Sequence, residues 1–445
     1  MSLPHESAHN SISISLDRMH MKFHGLWGRL KEHPLVRIGP GLITGVADDD
    51  PSGIGTYSQA GAQFGLNMLW TMPVAYPLMS AVQSMCGRIG RVTGKGLAAN
   101  MKSVFPPFVL WGVMLLLVVA NTLNIAADVA AMGEVAELVT GIDRHLMTAF
   151  FVFATLSLQI FVPYHRYVFF LKWLTLSLLA YGVVLFTVHV PWGQVALRTL
   201  WPKFTVDKDT AAMVVAIFGT TISPYLFFWQ ASEEVEDMGE TIPPAEPLTQ
   251  NAAVAVPELR RIGWDTWTGM FYSNIAAYFI ILATAVTLNA AGITQIETAA
   301  EAASALKPLA GNFAFILFAL GILGVGMIGV PVLAGSAGYA VSEAIGWRCG
   351  LEHNVKTARG FYAIIAFTVL AGLVIQYLPI SPMKALFWSA VINGVVAVPL
   401  MVAIILLATN KAIMGDFRAN RALVILVWIA TAIMGAATVG MLIPG

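Results

Sequence analysis

Long apolar runs separated by short polar segments dominate the chain. Eleven of them are long enough to cross a bilayer: approximately 37–64, 67–87, 106–139, 145–163, 167–190, 211–236, 267–289, 312–345, 360–378, 384–409 and 422–443. A largely apolar run of about 18 residues or more reads as a transmembrane helix. Two of the eleven are interrupted. In the first, three aspartates run into a proline, Ala47-Asp48-Asp49-Asp50-Pro51-Ser52-Gly53. In the sixth, Phe218-Gly219-Thr220-Thr221-Ile222-Ser223-Pro224-Tyr225 repeats the device without acids. Proline denies a helix one backbone bond, so each interruption predicts a break. The breaks lie five spans apart, so the two helices cross in opposite senses. Paired broken helices in corresponding halves predict an inverted repeat with its site at the membrane midplane.

The polar segments set the orientation. With the N-terminus inside, nineteen of the 25 Lys and Arg residues fall on the cytoplasmic side, including Arg88, Arg91, Lys95, Arg260, Arg261 and Arg348. Six fall outside: Arg144, Arg198, Lys203, Lys208, Lys307 and Lys384. That bias predicts a cytoplasmic N-terminus and, with an odd number of spans, an external C-terminus. The expected organisation is a cytoplasmic tail (1–36), a first five-helix repeat (37–190), a second (211–409) and an added helix (422–443). Phe23–Leu30 is expected on the membrane surface, Asp237–Trp264 as a cytoplasmic loop, and Ile293–Lys307 as a short external amphipathic helix.

Composition agrees with the pattern. The 445 residues are 57% apolar and 11% charged, against about 25% charged in a soluble domain. Net charge is zero, which gives nucleic acid no electrostatic reason to bind. Two cysteines, Cys86 and Cys349, make neither a disulfide framework nor a CxxC metal site. The polar N-terminus shows no cleavable apolar signal. No HExxH or other catalytic spacing occurs, so an enzyme is not expected.

Carboxylates at midplane depth are expensive and functional by default. Carbonyls before a helix break lose their amide partners, and helix C-termini carry partial negative charge, so the two breaks favour a cation. The expected ligands are the carboxylates of Asp50 and Asp49, the hydroxyls of Ser223, Thr220 or Thr221, and backbone oxygens. These are hard donors, suited to Mg²⁺, Ca²⁺ or Mn²⁺. Successive aspartates point about 100° apart on a helix, so Asp48 is a second-line or vestibule residue. Capping of the outer half-helix by a carboxylate is the structural alternative.

Gly39-Pro40-Gly41, Asp50-Pro51-Ser52-Gly53 and Gln59-Ala60-Gly61-Ala62-Gln63-Phe64-Gly65 together resemble the first helix of NRAMP metal transporters. That family carries Asp-Pro-Gly-Asn and then Gln-Ala-Gly-Ala-Gln-Phe-Gly there. Phe318-Ala319-Leu320-Gly321 and the Gly338–Gly346 region resemble its eighth helix. The resemblance implies a LeuT-type fold: an all-α integral membrane protein with 11 transmembrane helices in two inverted five-helix units, helices 1 and 6 broken, plus one extra helix. Asp50 keeps the family's metal-binding aspartate, whereas Gly53 stands at its ligand asparagine. Ser223-Pro224-Tyr225 replaces the family's Met-Pro-His, and Gln230 replaces a second histidine. Asp128 keeps a family acid, but Ala131 and Asn121 stand where glutamates are expected. These departures resemble the NRAMP-related magnesium transporters, which implies Mg²⁺ uptake, Mn²⁺ as second ion, and no obligatory proton coupling.

The metal set is therefore Asp50, Asp49, Ser223, Thr220 and Gly53. Asp48, Thr221, Tyr225, Asp128, Glu233, Glu234 and Asn393 are secondary cavity or vestibule candidates. Glu134 and Glu137 are assigned to a solvated helix end, and Tyr57 to the outer gate. The partners are the divalent ion, as substrate, and the lipid bilayer; no cofactor and no obligate protein partner are implied. The expected place is a bacterial cell membrane. Two rival functions are a proton-coupled Mn²⁺/Fe²⁺ transporter and a sodium-coupled organic-solute symporter; a non-transporting sensor is a third class.

Overall fold

The computed structural model describes residues 40–162, 176–203, 207–240, 244–377, 379 and 381–442. The N-terminal tail with Phe23–Leu30, and the first part of the expected fifth span with Pro163, Arg166 and Lys172, lie outside these residues. Among the described residues the secondary structure is helical, without strands.

The first span is two helices, α1 (Pro40–Asp48) and α2 (Pro51–Phe64). α3 (Thr71–Thr93) and the short α4 (Leu97–Val104) follow. Then come α5 (Pro107–Thr140) and α6 (Arg144–Phe161). The fifth span is represented by Leu176–Leu179 and Ala180–Val184. The sixth is again divided, into α7 (Lys208–Thr221) and α8 (Pro224–Glu240). α9 (Ala255–Thr284), α10 (Ala299–Ser304), α11 (Ala314–Ile345), α12 (Arg359–Ile375), α13 (Pro382–Thr409) and α14 (Arg421–Leu442) complete the chain.

Seven helical stretches among the described residues are long and apolar enough to span a membrane, counting α7 with α8 as one. Of the four other expected spans, the fifth lies partly outside the described residues and three fall short for physical reasons. The first is split by its aspartates. α3 carries polar residues along the face it buries, among them Ser80, Gln83 and Ser84. α12 has only 17 residues.

Two boundaries differ from expectation. The expected cytoplasmic loop Asp237–Trp264 is helical from Ala255 onward. Pro257 sits in the first turn of α9, where no amide partner is needed. α3 runs on past residue 87 to Thr93 because Arg88 and Arg91 have partners. Arg88 donates to the Phe417 and Arg418 carbonyls, each at 3.1 Å, and Arg91 pairs with Glu258 at 3.1 Å.

Helix 1 is held centrally by close approach. α1 packs along α9, and its Gly41 and Gly45 make that possible: a methyl group at Gly45 would strike the backbone of Gly269. Small residues spaced four apart let membrane helices touch backbone to backbone. On the other side of the break, a methyl at Gly329 of α11 would come to 3.0 Å from Asp50 Cβ. The break is thus wedged between α9 and α11.

One end of the bundle is basic, knitted by the Arg88 and Arg91 contacts and by Glu343, which accepts from the amides of Ala98 and Ala99 at the start of α4. At the opposite end, Gln59 of α2 bonds to Thr294, Gln295 and Ile296 in the segment before α10. α10 is the expected external helix, reduced to six residues and opened by a Thr298–Glu301 capping box. Glu134 is not a solvated residue: it accepts from the Ala299 amide at 2.8 Å, adding a carboxylate at that helix start.

Candidate functional site

At the first break the chain leaves α1 at Asp48 and restarts at Pro51. Asp50 is the N-cap of α2, extended at φ −62°, ψ 169°, and its side chain accepts from the Gly53 amide. Carboxylate capping, the structural alternative for this acid, is therefore present. It does not exhaust Asp50. Oδ1 takes the Gly53 amide at 2.8 Å and the Ser52 hydroxyl at 2.7 Å. Oδ2 accepts from Asn124 of α5 at 2.9 Å and from the Tyr225 hydroxyl of α8 at 3.2 Å. The same Tyr225 hydroxyl lies 3.1 Å from the Ala47 carbonyl, one of the oxygens that the break frees, and its single hydrogen serves one of the two acceptors at a time. One carboxylate thus joins the first break to helices 3 and 6.

The other two aspartates turn elsewhere. Ser273 of α9 lies 2.6 Å from Asp48 Oδ2 and 3.0 Å from Asp49 Oδ1. Asp48 and Asp49 thus share one hydroxyl of α9, whereas Asp50 is held by α5 and α8. All three are sealed from solvent, with exposures of 0%, 1% and 1%. Among the described residues no three His, Cys, Asp or Glu side chains converge into a ready metal cage. An ion here would take one or two carboxylates and complete its shell with neutral oxygens or water.

The second break contributes less than its sequence suggests. Ser223 Oγ bonds the Gly219 and Thr220 carbonyls at 2.8 and 2.7 Å, within its own helix. Thr221 does the same with Ile217 at 2.9 Å. Thr220 is different: its hydroxyl is buried with no hydrogen-bond partner, as is that of Tyr57. Gly53 faces both, since a methyl there would come to 3.2 Å from Thr220 Oγ1 and 3.3 Å from the Tyr57 ring. Tyr57 is fully buried at this level.

The remaining candidates spread out. Asp128 approaches the Ser52 amide, but both its oxygens lack a hydrogen-bond partner. Asn393 of α13 is buried with both ends of its amide unpartnered, and no interhelical bond holds it. Glu233 accepts from Tyr339 at 3.2 Å. Glu234 is not a vestibule acid: Arg261 of α9 pairs with it at 2.6 Å, and Gln230 donates to it at 3.3 Å. Gln230 also accepts from Thr44 of α1 at 2.6 Å, tying α1 to α8.

Two residues that bond the aspartates, Asn124 and Ser273, are not among the candidates named from the sequence, nor is Ser389, which orients Asn124. Ser389 of α13 donates to Asn124 Oδ1 at 2.7 Å, so Asn124 is oriented with its amide nitrogen toward Asp50. The available signal was an amide one helical turn before Asp128 inside an apolar span, a spacing that puts both on one face.

The family profile described as "Nramp: Natural resistance-associated macrophage protein-like" matches residues 41–444. A protein named divalent metal cation transporter MntH from Acidiphilium cryptum is 26% identical over 400 residues, covering 86% of this chain and 84% of the relative. The protein of that name from Agrobacterium fabrum is 26% identical over 418 residues, covering 91% and 86%. A crystal structure of the Eremococcus coleocola manganese transporter, in complex with an aromatic bis-isothiourea substituted compound, superposes with a TM-score of 0.72. It shares 17% identity and covers 94% of this chain and 87% of that one. At that identity the likeness carries the fold alone: an all-helical chain, its first and sixth apolar spans broken. The match across nearly every described helix settles the family, and the chain belongs to the Nramp family of membrane proteins.

Proposed function

We propose that the protein is a divalent metal-ion transporter of the cell membrane, carrying Mg²⁺ with Mn²⁺ as a second ion, and without obligatory proton coupling. The observation that carries the reading is the chemistry around Asp50. A buried carboxylate, the Ala47 carbonyl, the Tyr225 hydroxyl and the unpartnered Thr220 hydroxyl form an oxygen-only donor set. Hard oxygens favour Mg²⁺ and Mn²⁺, whereas a thioether would favour softer ions. Position 223 carries serine where the resemblance implies methionine. Its hydroxyl stays on its own helix, so the missing thioether is the argument, and not a new ligand. The ion is cargo; the reading calls for no resident cofactor.

The two repeats, 37–190 and 211–409, would alternate around this midplane site, with the basic end cytoplasmic. A divalent ion crossing the whole field gains about 4.6 kcal/mol per 100 mV. That drives roughly thousandfold accumulation without a coupled proton.

A second reading, proton-coupled Mn²⁺/Fe²⁺ transport, draws support from the names of the relatives and from Asp128, whose unpartnered carboxyl could carry a proton. Proteoliposomes loaded with Mg²⁺-sensitive and pH-sensitive dyes separate the two. The expected result is Mg²⁺ entry that follows membrane potential with the internal pH unchanged. Mn²⁺ entry with internal acidification, and no Mg²⁺ entry, would establish the second reading in its place.

A further inference from the structure

We propose that an anionic phospholipid of the cytoplasmic leaflet binds in a slot between α3, α9 and α14, its phosphate at Arg88 and its ester region at Ser84. The slot is a cavity of about 430 Å³, within the range of about 300–1,000 Å³ typical of small-molecule sites. Arg88 and Ser84 line it from α3, Ile262 and Trp267 from α9, Asn420 from just before α14, and Leu426 from within that helix. α3 packs on both α9 and α14, and the slot is the gap between the latter two. All three helices meet at the basic end of the bundle, which the Lys and Arg bias assigns to the cytoplasm. α3 ends there, whereas α9 and α14 begin there.

The lining therefore changes with depth. Arg88 and Asn420 stand at the mouth. Ser84 is one helical turn, about 6 Å, further in along α3. Trp267 and Leu426 lie deeper along their own helices and are apolar.

Two observations point to the same ligand. The first is the charge at the mouth. Arg88 is half-buried, and its Nη1 donates to the Phe417 and Arg418 carbonyls. Its Nε and Nη2 hydrogens, one complete edge of the guanidinium, have no partner among the described residues. Such an edge matches phosphate in a bidentate way. Arg260, Arg418 and Arg421 are exposed nearby in the chain, and none of the four arginines forms an ion pair among the described residues. Glu258 is taken by Arg91 and Arg261.

The second is Ser84. It is 6% exposed, and its hydroxyl is buried with no hydrogen-bond partner, not even the carbonyl of the preceding turn. Native structures leave few such groups unsatisfied. A hydroxyl one turn below a bound phosphate meets the ester carbonyl of a phospholipid, and the apolar depth takes the acyl chain. A free phosphate would use the mouth alone. Basic pockets between transmembrane helices on the cytoplasmic side are known receptors for anionic headgroups. This site stands apart from the ion at Asp50.

Native mass spectrometry of the full chain tests it, after extraction from liposomes holding equal phosphatidylglycerol, phosphatidylethanolamine and phosphatidylcholine with identical acyl chains. The wild type should retain one phosphatidylglycerol, favoured more than about tenfold over the other two. Ser84 bonds no other residue, so Ser84→Ala removes no contact within the fold, and it should weaken retention about fivefold. Arg88→Gln should weaken it by about as much through lost charge, and Leu423→Trp, which fills the slot, should abolish it. Retention without preference for phosphatidylglycerol would overturn the proposal. So would a preference that survives both Ser84→Ala and Leu423→Trp, since exposed arginines alone would then hold the lipid. Displacement of the lipid by inorganic phosphate would make this a free-anion site and overturn it too.

Discussion

The two helix breaks look like twins in the sequence and are built in opposite ways. Each is a proline that begins a new half-helix within an apolar span, Pro51 for α2 and Pro224 for α8. At the first break the polar side chains reach outward, Asp50 to α5 and α8, Asp48 and Asp49 to α9. At the second, Ser223 and Thr221 bond the carbonyls of their own helix. The residue of that break that crosses the gap is Tyr225, beyond the proline. Short hydroxyl side chains reach back to carbonyls three or four residues earlier, whereas a phenol extends past its own helix. A polar residue beside a proline is therefore a weak predictor of a ligand; its reach decides.

The largest test of this contrast removes the residue on which the first break depends. Asp50→Ala takes away the N-cap of α2 and the acceptor of Asn124 and Tyr225 together. Mg²⁺ uptake into proteoliposomes should fall by more than about 100-fold, beyond the range found for groups that only support a metal ligand. Uptake within about twofold of wild type would move the transport site away from this break. Asp50→Asn separates charge from capping, because asparagine caps as well as aspartate does. It should restore the fold and leave transport lost.

Much of this was legible along the chain. The apolar runs located the helices, and the prolines located the breaks. Yet Pro77, Pro331 and Pro399 lie inside α3, α11 and α13 without dividing them. What distinguishes Pro51 is the Asp50 carboxylate, which takes over an orphaned amide of the new half-helix. That signal is local and can be read. The partition of the three aspartates is not local. It depends on Ser273, more than 200 positions away, and on a glycine contact between α1 and α9 that brings their backbones together. For the same reason the pairing of Glu234 with Arg261, 27 positions on, is not legible in the sequence. Asn124 was missed because an amide in an apolar span reads equally well as an interhelical tie.

Tyr225 gives the intermediate test, because it is where the second break touches the first. Tyr225→Phe keeps the ring and removes the hydroxyl that joins Ala47 O to Asp50 Oδ2. Asp50 retains Asn124, Ser52 and the Gly53 amide, so its carboxylate stays anchored. The apparent affinity for Mg²⁺ should weaken by about tenfold, with the maximal rate changed less. With Mg²⁺ binding measured by calorimetry in place of uptake, Tyr225→Phe and Asp50→Asn should give non-additive losses, and additive losses would show the two acting separately.

The smallest effect is the sharpest test of the asymmetry. If the hydroxyls of the second break serve only their own helix, Ser223→Ala should change Mg²⁺ uptake by less than about twofold. Removing such a back-bonded hydroxyl frees the Gly219 and Thr220 carbonyls and leaves the Asp50 set untouched. Thr220→Val should cost more than Ser223→Ala, although both lose one hydroxyl, because the Thr220 hydroxyl is buried without a partner next to Gly53. Uptake measured across a Mg²⁺ series for both variants ranks them directly. A larger loss from Ser223→Ala would mean that its side chain leaves its helix to meet the ion, and the two breaks would then be equivalent after all.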